Sequence, residues 1–393
     1  MTQGVDTQRT TVLVVGPPPS MMGGMARVVE QVVAIRGDKR FRIVPFETTF
    51  SRNDGHGWLP KITRHFRHVR LLRRTIREHR AAAIHIHTCS GFSFFRSAVD
   101  MFAARREGCR TILHIHGAAF DEFYDRAGVL TRRIIGSLLS RADRVLALSQ
   151  SWKVKLSAMA PGARISVIEN AADIPSDVSP HRDGECCQFD LLAKMDEWKG
   201  IDDLLAACAI LRSDGLAFRV VMAGPAGSAG NDASLNTKIE QLDLAGTVSY
   251  VGPLRGDAKG DLLRESHVYV QPSHHEGMPL SILEAMAHAL PIVATRVGAV
   301  PEVLEDGREG ILVSPRRPGM LADAMRRLIV DRSLRHRMAE AARTLAVDRF
   351  SLDRFRREIL TLYEDLCAPI RFDKTWGNAD GAGEHAESAI TTS

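Results

Sequence analysis

The sequence predicts an α/β chain of two doubly wound, Rossmann-like domains facing each other across a cleft. Three observations carry this. The chain has 393 residues, and domains run to roughly 100–200 residues each, which makes two the natural count. Short apolar runs alternate with helical patterns over most of the length, as parallel β-α-β units with right-handed crossovers require. The alternation stops once, at residues 171–185 (AADIPSDVSPHRDGE), and then starts again.

The first series opens with residues 11–16 (TVLVVG), a Gly/Pro loop and a helix from about Met25. Residues 41–45, 82–87, 111–116, 144–148 and 165–168 are five further strands. They are continuous apolar runs, as expected of strands covered on both faces. The segment 171–185 is rich in Pro, Asp and Ser and reads as a linker. Strands at 187–192, 218–223, 248–251, 267–271, 291–295 and 310–313 form the second series, with helices near 201–213, 280–288 and 318–330. The expected division is a domain over 1–178, a second over 179–350, a helix over 351–370 that packs back on the first domain, and a disordered polar tail over 371–393.

A hydrophobic share of 45% and a charged share of 25% are globular values. No run of about 18 apolar residues marks a membrane span. Residues 1–9 lack the apolar core of a signal peptide, so a cytoplasmic protein is expected. The six cysteines show no C-x-x-C spacing and read as reduced core thiols. The net charge is +5, and the segment from Lys61 to Arg80 holds eight Lys/Arg and one Glu. The rest of the chain is therefore slightly acidic, which argues against a nucleic-acid binder. In a helix, Ile62, Phe66, Val69 and Ile76 fall near one face, and Arg67, Arg70, Arg74 and Arg77 near another. Such a helix is either a solvated face over a core contact or a contact with an anionic membrane surface.

The chemistry concentrates in residues 274–287, HHEGMPLSILEAMA. The segment follows a strand and opens a helix. Gly277 permits close backbone approach and Pro279 suits a first helical turn. Free N–H groups of Met278, Leu280 and Ser281 can then face an anion. Glu276 precedes the helix and Glu284 lies about one turn inside it, so two carboxylates can touch different parts of one ligand. The plainer reading is an acidic helix start favoured by the dipole. A Gly-x-G-x-x-Gly fingerprint after the first strand is absent, which argues against a dehydrogenase. Two His-x-His pairs, His85/His87 and His114/His116, each share one face of a strand. They invite a metal-site reading, although the carboxylate or water partners that such a site needs have no place in the sequence pattern.

Glu-x7-Glu in EGMPLSILEAMA closely resembles the retaining glycosyltransferases of family 4, which have the GT-B fold, in their bacterial polysaccharide-type members. Gly23-Gly24, His116-Gly117, LALSQSWK around Ser149, VIENAAD, Lys199-Gly200 and TRVGAVPEVLEDGREGILV extend the resemblance over nearly the whole chain. It implies a hexose-type donor as a nucleotide-diphosphate sugar, a glycan or lipid-linked acceptor, and no metal or other cofactor. It implies that Glu276 binds sugar hydroxyls and Glu284 the ribose. Backbone groups of Gly277, Met278, Pro279 and Leu280 hold sugar and diphosphate, Lys199 pairs with the diphosphate, and His116 lines the catalytic cleft. The loop at Gly23 and Gly24 approaches the diphosphate or acceptor. The family carries Gly-Arg where this chain has Ala193-Lys194, and Lys cannot make the two-pronged contact of Arg. A nucleotide-sugar epimerase on the same scaffold and a non-catalytic sugar- or lipid-binding subunit are the two alternatives, since a fold does not fix a function.

Overall fold

The computed structural model describes residues 9–35, 38–48, 58–178, 186–227 and 232–367. It contains two six-stranded sheets. The first is built from β1 (Thr10–Gly16), β2 (Phe41–Glu47), β3 (Ala83–Thr88), β4 (Arg110–Ile115), β5 (Arg144–Ala147) and β6 (Ile165–Val167), in the order β2-β1-β3-β4-β5-β6. The second comprises β7 (Cys187–Leu192), β8 (Phe218–Ala223), β9 (Val248–Tyr250), β10 (Val268–Gln271), β11 (Ile292–Thr295) and β12 (Gly310–Val313), in the order β12-β11-β10-β7-β8-β9. Every strand pair is parallel. The order reverses beside the first strand of each sheet, β1 and β7, and ligands of doubly wound folds bind at such switch points.

The central strands are buried because they are apolar on both faces: Val12, Leu13, Val14 and Val15 are 0–1% exposed, as are Phe189 and Leu191. The first hydrophobic core is not confined to the first sheet. It runs from Val12 and Phe94 through Met278, Leu280 and Leu283 to Phe355, Ile359 and Tyr363. The helix Leu352–Cys367 therefore lies against the first sheet, with Tyr363 packed edge-on against Phe41. A separate core under the second sheet joins Phe189, Leu204, Val220 and Met325.

The predicted linker begins later than its composition suggested. Ala171 and Ala172 are buried, Ala172 bridges to Ser351, and the Gln31 side chain donates to the Ala171 carbonyl. Small residues let the chain run deep between elements there. Residues 179–185 and the tail from 371 lie outside the described residues. All six cysteines are free, but only Cys109, Cys187 and Cys208 are buried, so the expectation of core thiols holds for half of them.

Candidate active site

The helices Gly24–Val33 and Leu280–Ala287 begin opposite each other: a Cβ on Gly24 would lie 3.9 Å from Leu280 Cδ1. Neither start, at Gly23 or Pro279, has a side-chain cap, and neither first turn holds an acidic residue. The first N–H groups of a helix have no partner within it and carry the positive end of the dipole. Two uncapped starts this close offer N–H groups that an anion could accept from.

Glu276 sits beside them, 6% exposed, on the loop between β10 and the second of these helices. Lys199 Nζ lies 2.6 Å from its Oε1, and Gln271 Nε2 donates to the same oxygen at 2.6 Å. Oε2 takes no bond among the described residues and is the atom open to a ligand. Gln271 is fixed in turn, because its Oε1 faces the hydroxyls of Ser281 at 2.8 Å and Tyr269 at 3.1 Å. Turning its amide over would set oxygen against carboxylate, so the network has one orientation. Lys199 ends the short turn Glu197–Lys199, and Gly200 follows with φ 71°. A Cβ at Gly200 would stand 2.0 Å from the Pro272 carbonyl oxygen, so only glycine brings the lysine this close to the β10 loop. Gly298, with φ +55°, is equally constrained, since its Cβ would meet the Glu276 carbonyl oxygen at 1.8 Å. The loop it belongs to holds the Glu276–Gly277 backbone, with Ala299 N donating to the Gly277 carbonyl at 2.8 Å.

Glu284, half-buried inside the helix, pairs with Lys259 at 2.6 Å. Lys194 is turned to Asp196, with its amine 2.8 Å from Oδ2. Gly277 has ordinary contact distance to the first domain: its Cβ would lie 3.4 Å from the His116 carbonyl oxygen. Thus His116 and the Glu276 loop face each other although they belong to different sheets. Met278 is buried, and Asn170 Nδ2 donates to its carbonyl at 2.8 Å, tying the end of the first domain to this loop.

The four histidines form one stacked cluster. Parallel pairing of β3 with β4 sets His87 beside His114. His87 Nδ1 lies 2.8 Å from His116 Nε2, His85 Nε2 lies 3.2 Å from His114 Nδ1, and His85 Nδ1 lies 2.8 Å from the Tyr363 hydroxyl. Burial pushes His85 and His116 down to about 3. It lowers His87 and His114 as well. His85, His87 and His114 each bring a nitrogen within 4.8 Å of the others. The His85 ring is, however, stacked nearly parallel on both others, and its two nitrogens are already engaged. Lone pairs of nearly parallel rings do not converge on one ion.

The basic helix Trp58–His79 differs from its expected pattern. Among the described side chains His68, Leu72 and Ile76 form its buried stripe, and His68 bonds Asp100 at 3.1 Å. Phe66 is 71% exposed, placed with Leu71 on the side of the arginines, and Ile62 lies outside the described side chains. Arg74 pairs with Glu78 and Arg77 with Glu107. Among the described residues no helix is long and apolar enough to cross a membrane.

Two doubly wound, six-stranded parallel sheets that meet at the Glu276 loop are the two-domain GT-B architecture. Residues 9–171 match the model of the Glycosyl transferase 4-like domain, and residues 191–345 match that of Glycosyl transferases group 1. The chain belongs to this glycosyltransferase family. It is 30% identical over 220 residues to D-inositol 3-phosphate glycosyltransferase 2 of Catenulispora acidiphila, covering 51% of each chain. It is 28% identical over 200 residues to the amylovoran biosynthesis glycosyltransferase AmsK of Erwinia amylovora, covering 49% of this chain and 48% of AmsK. The chain thus spans about half the length of the curated relatives it matches. Among solved structures, Anabaena HepE in complex with UDP-glucose superposes with a TM-score of 0.70 at 20% identity, covering 91% of this chain and all of HepE, which speaks to the fold alone.

Lys259, Gln271, Gly298 and Asn170 were not anticipated as site residues. Gly298 and Asn170 lie inside segments already singled out, VGAVPE and VIENAAD. Lys259 and Gln271 carry no signal of their own, since their roles arise only from neighbours distant in sequence.

Proposed function

We propose that the chain is a retaining glycosyltransferase that moves a hexose-type sugar from a nucleotide-diphosphate sugar to a glycan or lipid-linked acceptor in cell-surface polysaccharide synthesis. One observation carries the reading: the Lys199–Glu276 pair, held by Gln271, beside two uncapped helix starts. The helix N–H groups and Lys199 suit a diphosphate, and the open Oε2 of Glu276 suits a sugar hydroxyl. HepE's bound UDP-glucose and AmsK's role in amylovoran biosynthesis support the donor and the pathway type.

In this reading the arriving diphosphate draws Lys199 from Glu276, freeing that carboxylate to hold the sugar. The donor C1–O bond to phosphate breaks, and the acceptor hydroxyl forms the new C1–O bond on the same face. Its proton passes to the departing diphosphate oxygen. Closure of the two domains excludes water and limits donor hydrolysis. The acceptor side belongs to the first domain, where Phe66, Leu71, Arg67 and Arg70 face outward together. Such a surface fits a peripheral site at the inner face of a membrane.

The test is a panel of nucleotide sugars screened by thermal shift, because a specific ligand stabilises the fold by mass action. It is followed by assay of nucleoside diphosphate release. Stabilisation by one donor, with release that requires an acceptor, is expected. Conversion of the donor without an acceptor would favour the epimerase. Binding without turnover under any acceptor would favour the non-catalytic subunit.

A further inference from the structure

The histidine cluster fixes its own protons. A neutral imidazole carries one N–H, on Nδ1 or on Nε2. Burial keeps these rings neutral. Two of their nitrogens, His87 Nε2 and His114 Nε2, are buried without any hydrogen-bond partner. An orphaned buried N–H is rarer and costlier than an under-used acceptor. Both Nε2 atoms are therefore bare, and both protons sit on Nδ1. His114 then donates from Nδ1 to His85 Nε2 at 3.2 Å, so His85 carries its own proton on Nδ1 and donates to the Tyr363 hydroxyl at 2.8 Å. On the cleft side, His87 donates from Nδ1 to His116 Nε2 at 2.8 Å. That bond occupies the lone pair of His116 Nε2 and leaves the His116 proton on Nδ1. His116 is half-buried at the end of β4, and its Nδ1 is not among the buried nitrogens and has no partner among the described residues.

We infer that His87 is a positioning residue that locks His116 in the Nδ1–H tautomer, so that His116 meets the ligand as a neutral hydrogen-bond donor and not as a base. The inference rests on the sugar-transfer reading for what the donor touches: a hydroxyl or phosphate oxygen of a ligand beside the Glu276 loop, which the His116 backbone faces. The acceptor's proton then has to leave by another route, and the departing diphosphate provides it. The two hydrogen-bonded pairs run in opposite senses, from His114 through His85 to Tyr363 and from His87 through His116 toward the cleft.

The tautomer is read directly on the wild-type protein, without substrate, by long-range proton–nitrogen correlation on histidine-labelled protein at neutral pH. His87→Gln and His116→Gln spectra assign the signals. Protonated Nδ1 with bare Nε2 at both His87 and His116 is expected. A protonated Nε2 at His116 overturns the inference, whether or not the protein transfers sugar. Activity supplies the second arm. His87→Asn keeps an N–H where Nδ1 stood, and its kcat should stay within several-fold of wild type. His87→Asp offers only an acceptor and should lower kcat by at least about 10²-fold, the scale of a histidine held in the wrong tautomer. Donor KM should stay near normal, and the pH profile should gain a limb as His116 takes up charge. Equal rates for His87→Asn and His87→Asp would overturn the positioning role. A wild type without turnover, but with the expected tautomer, would instead remove the transfer reading and leave the proton assignment standing.

Discussion

Replacing Lys199 with Ala tests the pair at the centre of the site. Its amine lies 2.6 Å from Glu276 Oε1, with the two side chains 13% and 7% exposed. Removing one member of a buried pair typically costs about 3–5 kcal/mol, because the other charge is left unpaired. Gln271 still donates to the same oxygen at 2.6 Å, which puts Lys199→Ala near the lower end, about 3 kcal/mol. Lys199→Met with Glu276→Gln removes both charges and keeps most of the volume. That double variant should recover most of the stability, since neutral replacements of a buried pair are often close to neutral. Urea unfolding read by tryptophan fluorescence measures both. Neither variant should recover transfer, because each lacks a preorganised contact to the diphosphate worth about 10²-fold or more in rate. A Lys199→Ala protein within about 0.5 kcal/mol of wild type and of near-normal rate would refute the pair and place the diphosphate elsewhere.

Acid should unfold the protein early. The ordinary histidine value is near 6.5, and His85 and His116 are held down to about 3 in the folded state. Between those values the unfolded chain binds more protons, so stability is full above pH 6.5 and falls as pH drops, by up to about 1.4 kcal/mol per pH unit for each ring. Thermal melts at pH 7, 6 and 5 should decline, and His85→Gln should flatten the slope; a melting point constant over that range would contradict the buried neutral rings. Lys194→Arg should keep near-normal turnover, because Lys194 already turns its charge to Asp196 at the site's edge; a large loss of kcat would show a closer role. Phe66→Ser with Arg67→Gln and Arg70→Gln should abolish co-sedimentation with anionic vesicles, and salt should weaken the wild type's binding within a Debye length of about 8 Å at physiological ionic strength. A wild type that ignores such vesicles at low salt would make the helix an ordinary solvated surface.

All twelve strands were legible; the central ones read as apolar runs because parallel strands buried on both faces leave little room for polar residues, while the edge strands β2 and β6 are only partly buried. The Glu276 helix start was legible because its signals are local: a strand, a glycine, a proline and a carboxylate in a row. The buried face of the basic helix was not. Among the described side chains its stripe includes His68, whose polarity hides it and whose ring bonds Asp100 on the next helix. Phe66 had looked like the core residue and is exposed. The partners of the site residues were likewise hidden. Lys259 reaches Glu284 from a neighbouring helix, and Gln271 matters only because the β10 loop folds Glu276 back onto it. The histidine pairs were visible, but their coupling depends on the β3–β4 register, which sets His87 beside His114.

Calorimetry tests the account of donor binding most directly. Wild type, Glu284→Ala and Glu276→Ala are each titrated with a nucleoside diphosphate and with the matching nucleotide sugar. The proposed reading gives the ribose to Glu284 and the sugar hydroxyls to Glu276. Glu284→Ala should weaken both ligands alike, while Glu276→Ala should leave the diphosphate's affinity largely intact and lose only what the sugar adds. Equal losses of diphosphate binding in the two variants would contradict the division of the site between nucleotide and sugar.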